Sequence, residues 1–333
     1  MAGRVRVAPP ERSSLILERW PNLRLHPSRR QLARWLRAAG VAVEPGAIEI
    51  EWRERCWMAM LPEHVLLGAR RWDPMASHQL RVETMCMDVA REVCGGIVPR
   101  TRLVKDRPFV LLRERARGLQ GHAIEARSFG VEESALPSVR RLAPDCPLTP
   151  FGERFAGELG RALARLHSQL PPAFSDTVNL TERAYEWERA GRAIHEHLDE
   201  PSLERALTRA RAWRAALGDE PVIVHGDPHL LNTFAGPEGS LVGLIDFGDC
   251  ALDSRYEDLR YLHSQGPGFA RAAVTAYERE AGVAIDLQTV ARLHVVSAFE
   301  HFAWVDPFGP RFPKIVRWAQ EALHALAPEW LAG

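Results

Sequence analysis

Apolar runs of two kinds divide this chain of 333 residues into an earlier strand-rich part and a later helix-rich part. Before residue 118, the short runs AIEIEW, CWMAML and HVLLGA have the length and alternation typical of β-strands. After it, long amphipathic segments dominate, such as PLTPFGERFAGELGRALARLHSQL, which begins at a candidate N-cap, Thr149. This order predicts an α+β fold with a sheet-bearing first lobe and a mainly helical second lobe.

The composition pattern predicts three regions, and the length suits more than one core. Residues 1–45 form an extension rich in Arg and Pro, with one helix in SRRQLARWLRAAG. Residues 46–117 form the small lobe, which contains a helix from about Ser77 to Val93 that Gly95 and Gly96 end. Residues 118–333 form the larger lobe.

Charge, apolar runs and cysteines indicate which partners and which compartment to expect. Lys plus Arg and Asp plus Glu both number 43, so the chain lacks the basic excess of a dedicated nucleic-acid binder. It has no apolar run of a length that spans a bilayer and no apolar signal-peptide core near its start. Its five cysteines contain no C-x-x-C pair, which favours free thiols in a reducing cytosol and hence a cytoplasmic protein.

The segment VIVHGDPHLLNTFAGPEGSLVGLIDFGD, residues 222–249, carries the chemistry. One apolar strand, Val222 to Val224, leads into a loop with Asp227 and Asn232, and a second, Leu241 to Ile245, leads to Asp246. If the two strands form a hairpin, their ends meet and these three side chains converge. Mg²⁺ prefers such hard oxygen ligands, and a separate carboxylate can accept a hydroxyl proton during phosphoryl transfer.

On these residues the chain resembles the aminoglycoside phosphotransferase family and its choline-kinase-like relatives. HGDPHLLN is similar to the family's H-G-D-x-x-x-x-N catalytic loop, and LIDFGD to its I-D-[WF] metal-binding segment. The resemblance implies a bilobal, protein-kinase-like fold. It implies that Asp227 is the catalytic base, that Asn232 and Asp246 hold Mg²⁺, and that His225 supports the loop. DSRYEDLRYL is similar to a family segment in which Asp258 is structural.

The first lobe resembles the family more weakly. The helix bearing Glu83 and the strand FVLLRERARG are similar to the family's E-x-x-x-L segment and its hinge. The resemblance implies that the hinge backbone, from Leu112 through Arg113 and Glu114 to Arg115, binds the adenine of a nucleotide. The only lysines are Lys105 and Lys314, so Arg70 or Arg71 would have to replace the phosphate-binding lysine and pair with Glu83. A solvent-facing Glu83 is the alternative.

The resemblance implies a kinase that transfers the γ-phosphoryl of ATP or GTP to a hydroxyl of a small molecule, which could be an antibiotic such as an aminoglycoside or a macrolide. Glu300, His301 and Asp306 are candidates for binding that acceptor, although a solvated helix face also explains acids there.

Two other functions stay open. A pseudokinase or binding module without turnover is consistent with the missing lysine. A metal-dependent hydrolase could use the H-x-D-x-H pattern of His225, Asp227 and His229, but that function leaves Asn232 and Asp246 unexplained.

Overall fold

The protein is described here as a computed structural model over residues 27–52, 56–69, 74–105, 109–136, 146–169, 185–198 and 200–332. These residues fall into two compact units. The first comprises residues up to Ser77 together with Leu103–Leu112, and the second comprises His78–Arg102 and the chain from Arg113 onward. The lobe limits at residues 46 and 118 stay predictions.

The first unit is built on an antiparallel sheet and one helix. The helix α1, Arg29–Ala38, starts where the Ser28 hydroxyl accepts a hydrogen bond from the Gln31 N–H. The strands are β1 Glu49–Trp52, β2 Cys56–Met60, β3 His64–Ala69, β4 Thr101–Lys105 and β5 Val110–Glu114, of which residues 101–102 and 113–114 belong to the second unit. They lie in the order β1-β2-β3-β5-β4. Leu32, Leu36, Ile48, Trp57 and Leu66 are buried together in the core of this unit.

The second unit is mainly helical. Its elements are α2 Pro74–Cys94, which belongs to this unit from His78 onward, α3 His122–Phe129, α4 Pro150–His167, α5 Trp187–His197, α6 Pro201–Ala215, β6 Pro221–Val224, β7 Thr233–Ala235, β8 Leu241–Leu244, β9 Ala251–Ser254, α7 Tyr256–His263, α8 Pro267–Ala281, α9 Leu287–Trp304 and α10 Phe312–Leu326. None of the described helices is long and apolar enough to cross a membrane.

A core around α4 places the short strands that carry the candidate site. Thr149 caps α4 as predicted, because its hydroxyl accepts a hydrogen bond from the Gly152 N–H. Gly160 lets α4 approach α8 closely, since a Cβ there would collide with the backbone of Ala273. Phe155, Leu159 and Leu163 pack in the same core as residues of α2 and the short strands. A second cluster joins α5, α6, α9 and α10.

Candidate active site

The two apolar strands of residues 222–249 do not pair with each other, which corrects the expected hairpin. β6 pairs antiparallel with β9, and β8 pairs antiparallel with β7. The ends of β6 and β8 are nevertheless brought together beyond the strands. The Ile245 N–H donates to the Asn232 carbonyl at 2.9 Å, and the His225 ring donates through Nε2 to the Ile245 carbonyl at 3.0 Å.

A buried carboxylate anchors the loop that follows β6. Asp258, on α7, accepts hydrogen bonds from the backbone N–H groups of His225 at 2.7 Å and Gly226 at 2.8 Å. It also accepts one from His167 Nε2 at 2.9 Å, and the His167 Nδ1 lies 2.9 Å from the Tyr277 hydroxyl. Burial alone would raise the pKa of Asp258, but the hydrogen bond and charge of His167, with the other partners, lower it overall.

His225 and Gly226 are tightly constrained by the contacts around the loop. His225 is fully buried, and its Nδ1 accepts a hydrogen bond from the Asp227 N–H at 3.2 Å while its ring packs on Phe247. Both ring nitrogens are therefore occupied. Gly226 has a φ of 90°, and a Cβ there would collide with the carbonyl of Asp249. The supporting role of His225 stays a prediction.

The same loop presents the Asp227 side chain, which is 29% exposed. The Asn232 amide is buried and donates through Nδ2 to the Asp227 carbonyl at 2.9 Å and to its Oδ2 at 3.3 Å. The Nδ1 of His229 lies 3.9 Å from Asp227 Oδ1. Asp227 thus has a fixed orientation and one side open to a ligand.

Asp246 is held in an unusual conformation. Among the described residues it is the one non-glycine residue with a positive φ, at 68°. Its ψ is 61°, in the left-handed region, which costs a non-glycine residue free energy and is often found at functional sites. Its side chain is exposed, and its negative charge contributes to raising the pKa of Glu83. Asp227, Asn232 and Asp246 therefore come from loops that the hydrogen bonds of Ile245 connect.

Among the described residues, Glu83 forms an ion pair with Arg113. The Arg113 Nη1 lies 2.7 Å from Glu83 Oε1, and both side chains are buried, Glu83 on α2 and Arg113 on β5. Burial raises the pKa of Glu83 to about 7, while the charge of Arg113 opposes that rise. Glu83 is thus not a solvent-facing helix residue. Arg70 and Arg71, the partners expected from the sequence, lie outside the described residues.

The other residues of the expected hinge lie on the predicted strand or directly after it. Leu112 and Glu114 lie on β5, and Arg115 follows its last residue. The Glu114 N–H donates to the Arg100 carbonyl at 2.9 Å. The glycine that closes this segment, Gly118, has a φ of 136° and lies against the backbone of Ala235.

The three residues proposed for acceptor binding have other partners. Glu300 lies 2.7 Å from the Arg260 Nη2, and His301 contacts the Ser297 carbonyl through Nδ1 at 2.7 Å. Asp306 accepts a hydrogen bond from the Phe308 N–H at 3.0 Å. None of the three is among the described residues that line the cavity next to the Asp227 loop. Their role in acceptor binding stays a prediction.

The fold and the site already define a class of protein. It is an α+β protein in which a loop presents an oriented carboxylate that can accept a proton from a ligand hydroxyl. A match to the phosphotransferase enzyme family, APH, covers residues 110–294, which is more than half of the chain. The chain therefore belongs to that family, and it is a phosphotransferase that acts on hydroxyl groups, as predicted. A sequence comparison with curated proteins found no match.

Solved structures share the fold at low identity. Macrolide 2′-phosphotransferase MphH from Brachybacterium faecium aligns with 89% of this chain and 98% of its own length, at 16% identity and a TM-score of 0.61. Spectinomycin phosphotransferase APH(9)-Ia, solved with ADP and spectinomycin, aligns with 90% of this chain and 98% of its own, at 12% identity and a TM-score of 0.59. The GDP and kanamycin complex of APH(2")-IIIa aligns with 95% of this chain and 97% of its own, at 15% identity and a TM-score of 0.58. These likenesses confirm the predicted kinase-like α+β fold.

Proposed function

We propose that this phosphotransferase moves the γ-phosphoryl of ATP or GTP to a hydroxyl of a small molecule, and that it works in the cytoplasm. The observation that carries the proposal is the orientation and exposure of the Asp227 side chain. Its carboxylate is oriented by Asn232 and partly exposed, while the loop behind it is tied to Asp258. A group in that position can receive a proton from a ligand without any rearrangement of the loop.

The chemistry follows from that placement. An acceptor hydroxyl rests against Asp227, its oxygen attacks the γ-phosphorus, and the bond from that phosphorus to the β–γ bridging oxygen breaks. The hydroxyl proton passes to Asp227, and the nucleoside diphosphate leaves. The Asn232 amide fixes the carboxylate during this step, so position contributes much of the acceleration.

The described residues fit Mg²⁺. Asn232 uses its amide nitrogen for Asp227, which leaves its Oδ1 for a cation, and Asp246 presents an exposed carboxylate. Two protein oxygens are a suitable set for an ion that also takes water and phosphate oxygens. Mg²⁺ would supply charge neutralisation to the phosphates. Among the described residues, no group of three or more His, Cys, Asp or Glu side chains is arranged to hold a metal ion.

For the nucleotide, we propose the backbone from Leu112 to Arg115 as the base-binding segment. The family resemblance leads one to expect a lysine as the partner of Glu83. The buried Glu83–Arg113 pair supports Arg113 as the cation that stabilises Glu83 instead. Arg70 and Arg71 remain the proposed phosphate ligands.

The hydrolase alternative has little support, because both ring nitrogens of buried His225 are already hydrogen-bonded and neither can bind a metal together with His229. The pseudokinase alternative is decided by experiment.

Thermal unfolding with MgATP and with MgGTP, on wild type and Asp246→Ala, tests the proposed nucleotide site. A ligand that binds the native state raises the melting temperature by mass action. We expect a magnesium-dependent rise for wild type and a smaller one for the variant. If neither nucleotide at millimolar concentration shifts the wild-type protein, the proposed kinase activity is wrong.

A further inference from the structure

A cavity of about 1100 Å³ opens beside the Asp227 loop, within the second unit. Its wall includes His229, Leu230 and Leu231 of that loop. The rest comes from α3, the segment that follows it, the turn between α7 and α8, α9 and α10. The cavity is slightly larger than the usual range of small-molecule sites, about 300–1,000 Å³. A molecule in it would touch the same loop that presents Asp227.

Much of the wall is apolar. Phe129, Leu136, Trp318 and Leu326 line it together with Leu231. Leu231 is 56% exposed, although it directly precedes the buried Asn232. One exposed leucine is common on a protein surface, but this one lines the same cavity as the other apolar residues. This wall can take up an apolar ligand body of considerable size.

The charge on the wall has one sign. Glu125, Glu133 and Glu321 line the cavity, and none of its described lining residues is Lys or Arg. Burial lowers the pKa of His294 to about 3, with the charges of His263 and Arg260 adding to the effect, and burial also lowers the pKa of His263. These two histidines are therefore neutral at pH 7. Glu125 is buried and lies 3.3 Å from His122, so the carboxylates that a ligand meets are the exposed ones of Glu133 and Glu321.

We propose that the cavity binds the phosphate acceptor, and that this acceptor is an amphiphilic alcohol: a large apolar ring body with few polar groups and one protonated amine. The proposal rests on the proposed function, since it names the substrate class of the same site. The apolar wall takes the ring body, and the exposed carboxylates of Glu133 and Glu321 attract the amine. A polycationic aminosugar would bury many polar groups against Phe129, Leu136 and Leu326, which is unfavourable.

The test compares two probes with opposite character. Erythromycin is an apolar lactone with one tertiary amine, and kanamycin is a polar sugar with several amines. Binding of each is measured by calorimetry without nucleotide, and phosphorylation of each by product mass with MgATP and MgGTP. We expect erythromycin to bind at least about tenfold more tightly than kanamycin, which corresponds to about 1.4 kcal/mol. Equal binding, or tighter binding of kanamycin, overturns the proposal.

Variants link the binding to the wall. The double variant Glu133→Gln with Glu321→Gln should weaken erythromycin binding by about fivefold. Glu132→Gln, next to Glu133 but not in the described lining, is the matched control and should leave binding unchanged. Unaltered affinity in the double variant contradicts the proposal.

The two possible failures are distinguishable. If MgATP or MgGTP stabilises the protein but erythromycin does not bind, the substrate class is wrong and the kinase function stands. If erythromycin binds as expected but neither nucleotide does, the binding site stands and the proposed transfer fails.

Discussion

Asp227 is the residue whose oxygen atoms would meet the substrate hydroxyl. In Asp227→Asn, one side-chain oxygen can still accept the hydrogen bond from Asn232, so the loop should keep its shape. The amide cannot take a proton, and general-base catalysis is worth about 10²- to 10⁴-fold. We expect kcat to fall by that factor, with the melting temperature and the nucleotide-induced shift close to wild type. A variant that keeps more than a tenth of the wild-type kcat would show that another group is the base.

Arg113 stabilises a buried carboxylate, and its removal should have a pH-dependent effect. Arg113→Met leaves Glu83 buried without its ion-pair partner, which raises the folded-state pKa of Glu83 beyond about 7. A carboxyl whose pKa is raised on folding stabilises the fold at low pH and loses that contribution as pH rises. The variant should therefore be destabilised much more at pH 8 than at pH 5.5, by about 3 kcal/mol at the higher pH.

Urea unfolding at both pH values measures this difference. Arg113→Lys, which keeps a positive charge, is the control and should lose less stability at pH 8. If Arg113→Met were destabilised equally at both pH values, the loss would come from packing and not from the unpaired carboxylate.

Among elements, α7 is tied directly to the Asp227 loop through Asp258. Asp258 accepts from two backbone N–H groups and from His167, so each carboxylate oxygen is engaged. In Asp258→Asn the amide N–H would face one of these donors, leaving a buried donor unpaired at a cost of about 1–3 kcal/mol. We expect lower stability and a lower kcat with the nucleotide-induced shift retained, as judged by melting curves and steady-state kinetics.

Asp286→Asn is the matched control for that change, because Asp286 caps α9 at the surface and Asn is an equally good N-cap. Acid sensitivity supplies a second readout. The pKa of Asp258 is lowered on folding, so its contribution is present at neutral pH and disappears as pH falls through the folded-state value. Asp258→Asn should remove this part of the acid-induced loss of stability. Burial opposes the change, but hydrogen bonds from Thr289 and Gln288 lower the pKa of Asp286 as well, so Asp286→Asn removes its own contribution, and its unchanged kcat is what separates the control from Asp258→Asn.

How far the sequence predicts the elements depends on the range of the interactions that form them. Thr149 and the apolar stripe of α4 are local signals, so that helix could be predicted closely. The pairing of β6 with β9 could not, because it joins residues about thirty positions apart and competes with the equally apolar β8. The Glu83–Arg113 pair also spans thirty positions, and no local pattern identifies its partner. The bond between His167 and Asp258 joins residues 91 positions apart, and no local pattern identifies it either.

Across the second unit, a buried network of charges ties β9, α6, α7 and α9 together. Arg260 is 1% exposed and lies 3.0 Å from Glu257 Oε2 and 2.7 Å from Glu300 Oε2, while Arg214 lies 3.0 Å from Glu257 Oε1 and also pairs with Asp253. Such a network is costly to break at one member, since the remaining charge stays buried. This placement separates two possible roles of Glu300, in the fold or in acceptor binding.

Glu300→Gln and Glu321→Gln make the same substitution at the two places. In the first, Arg260 loses one of its charged partners while buried, so we expect a loss of unfolding free energy of about 2–3 kcal/mol with little change in the acceptor KM. In the second, an exposed carboxylate of the cavity wall is neutralised, so stability should stay within about 0.5 kcal/mol while the acceptor KM rises severalfold. Urea unfolding and acceptor kinetics on both variants measure the four quantities. A stable Glu300→Gln protein with a raised acceptor KM would reverse the assignment, because the residue would then act on the ligand and the network would hold without it.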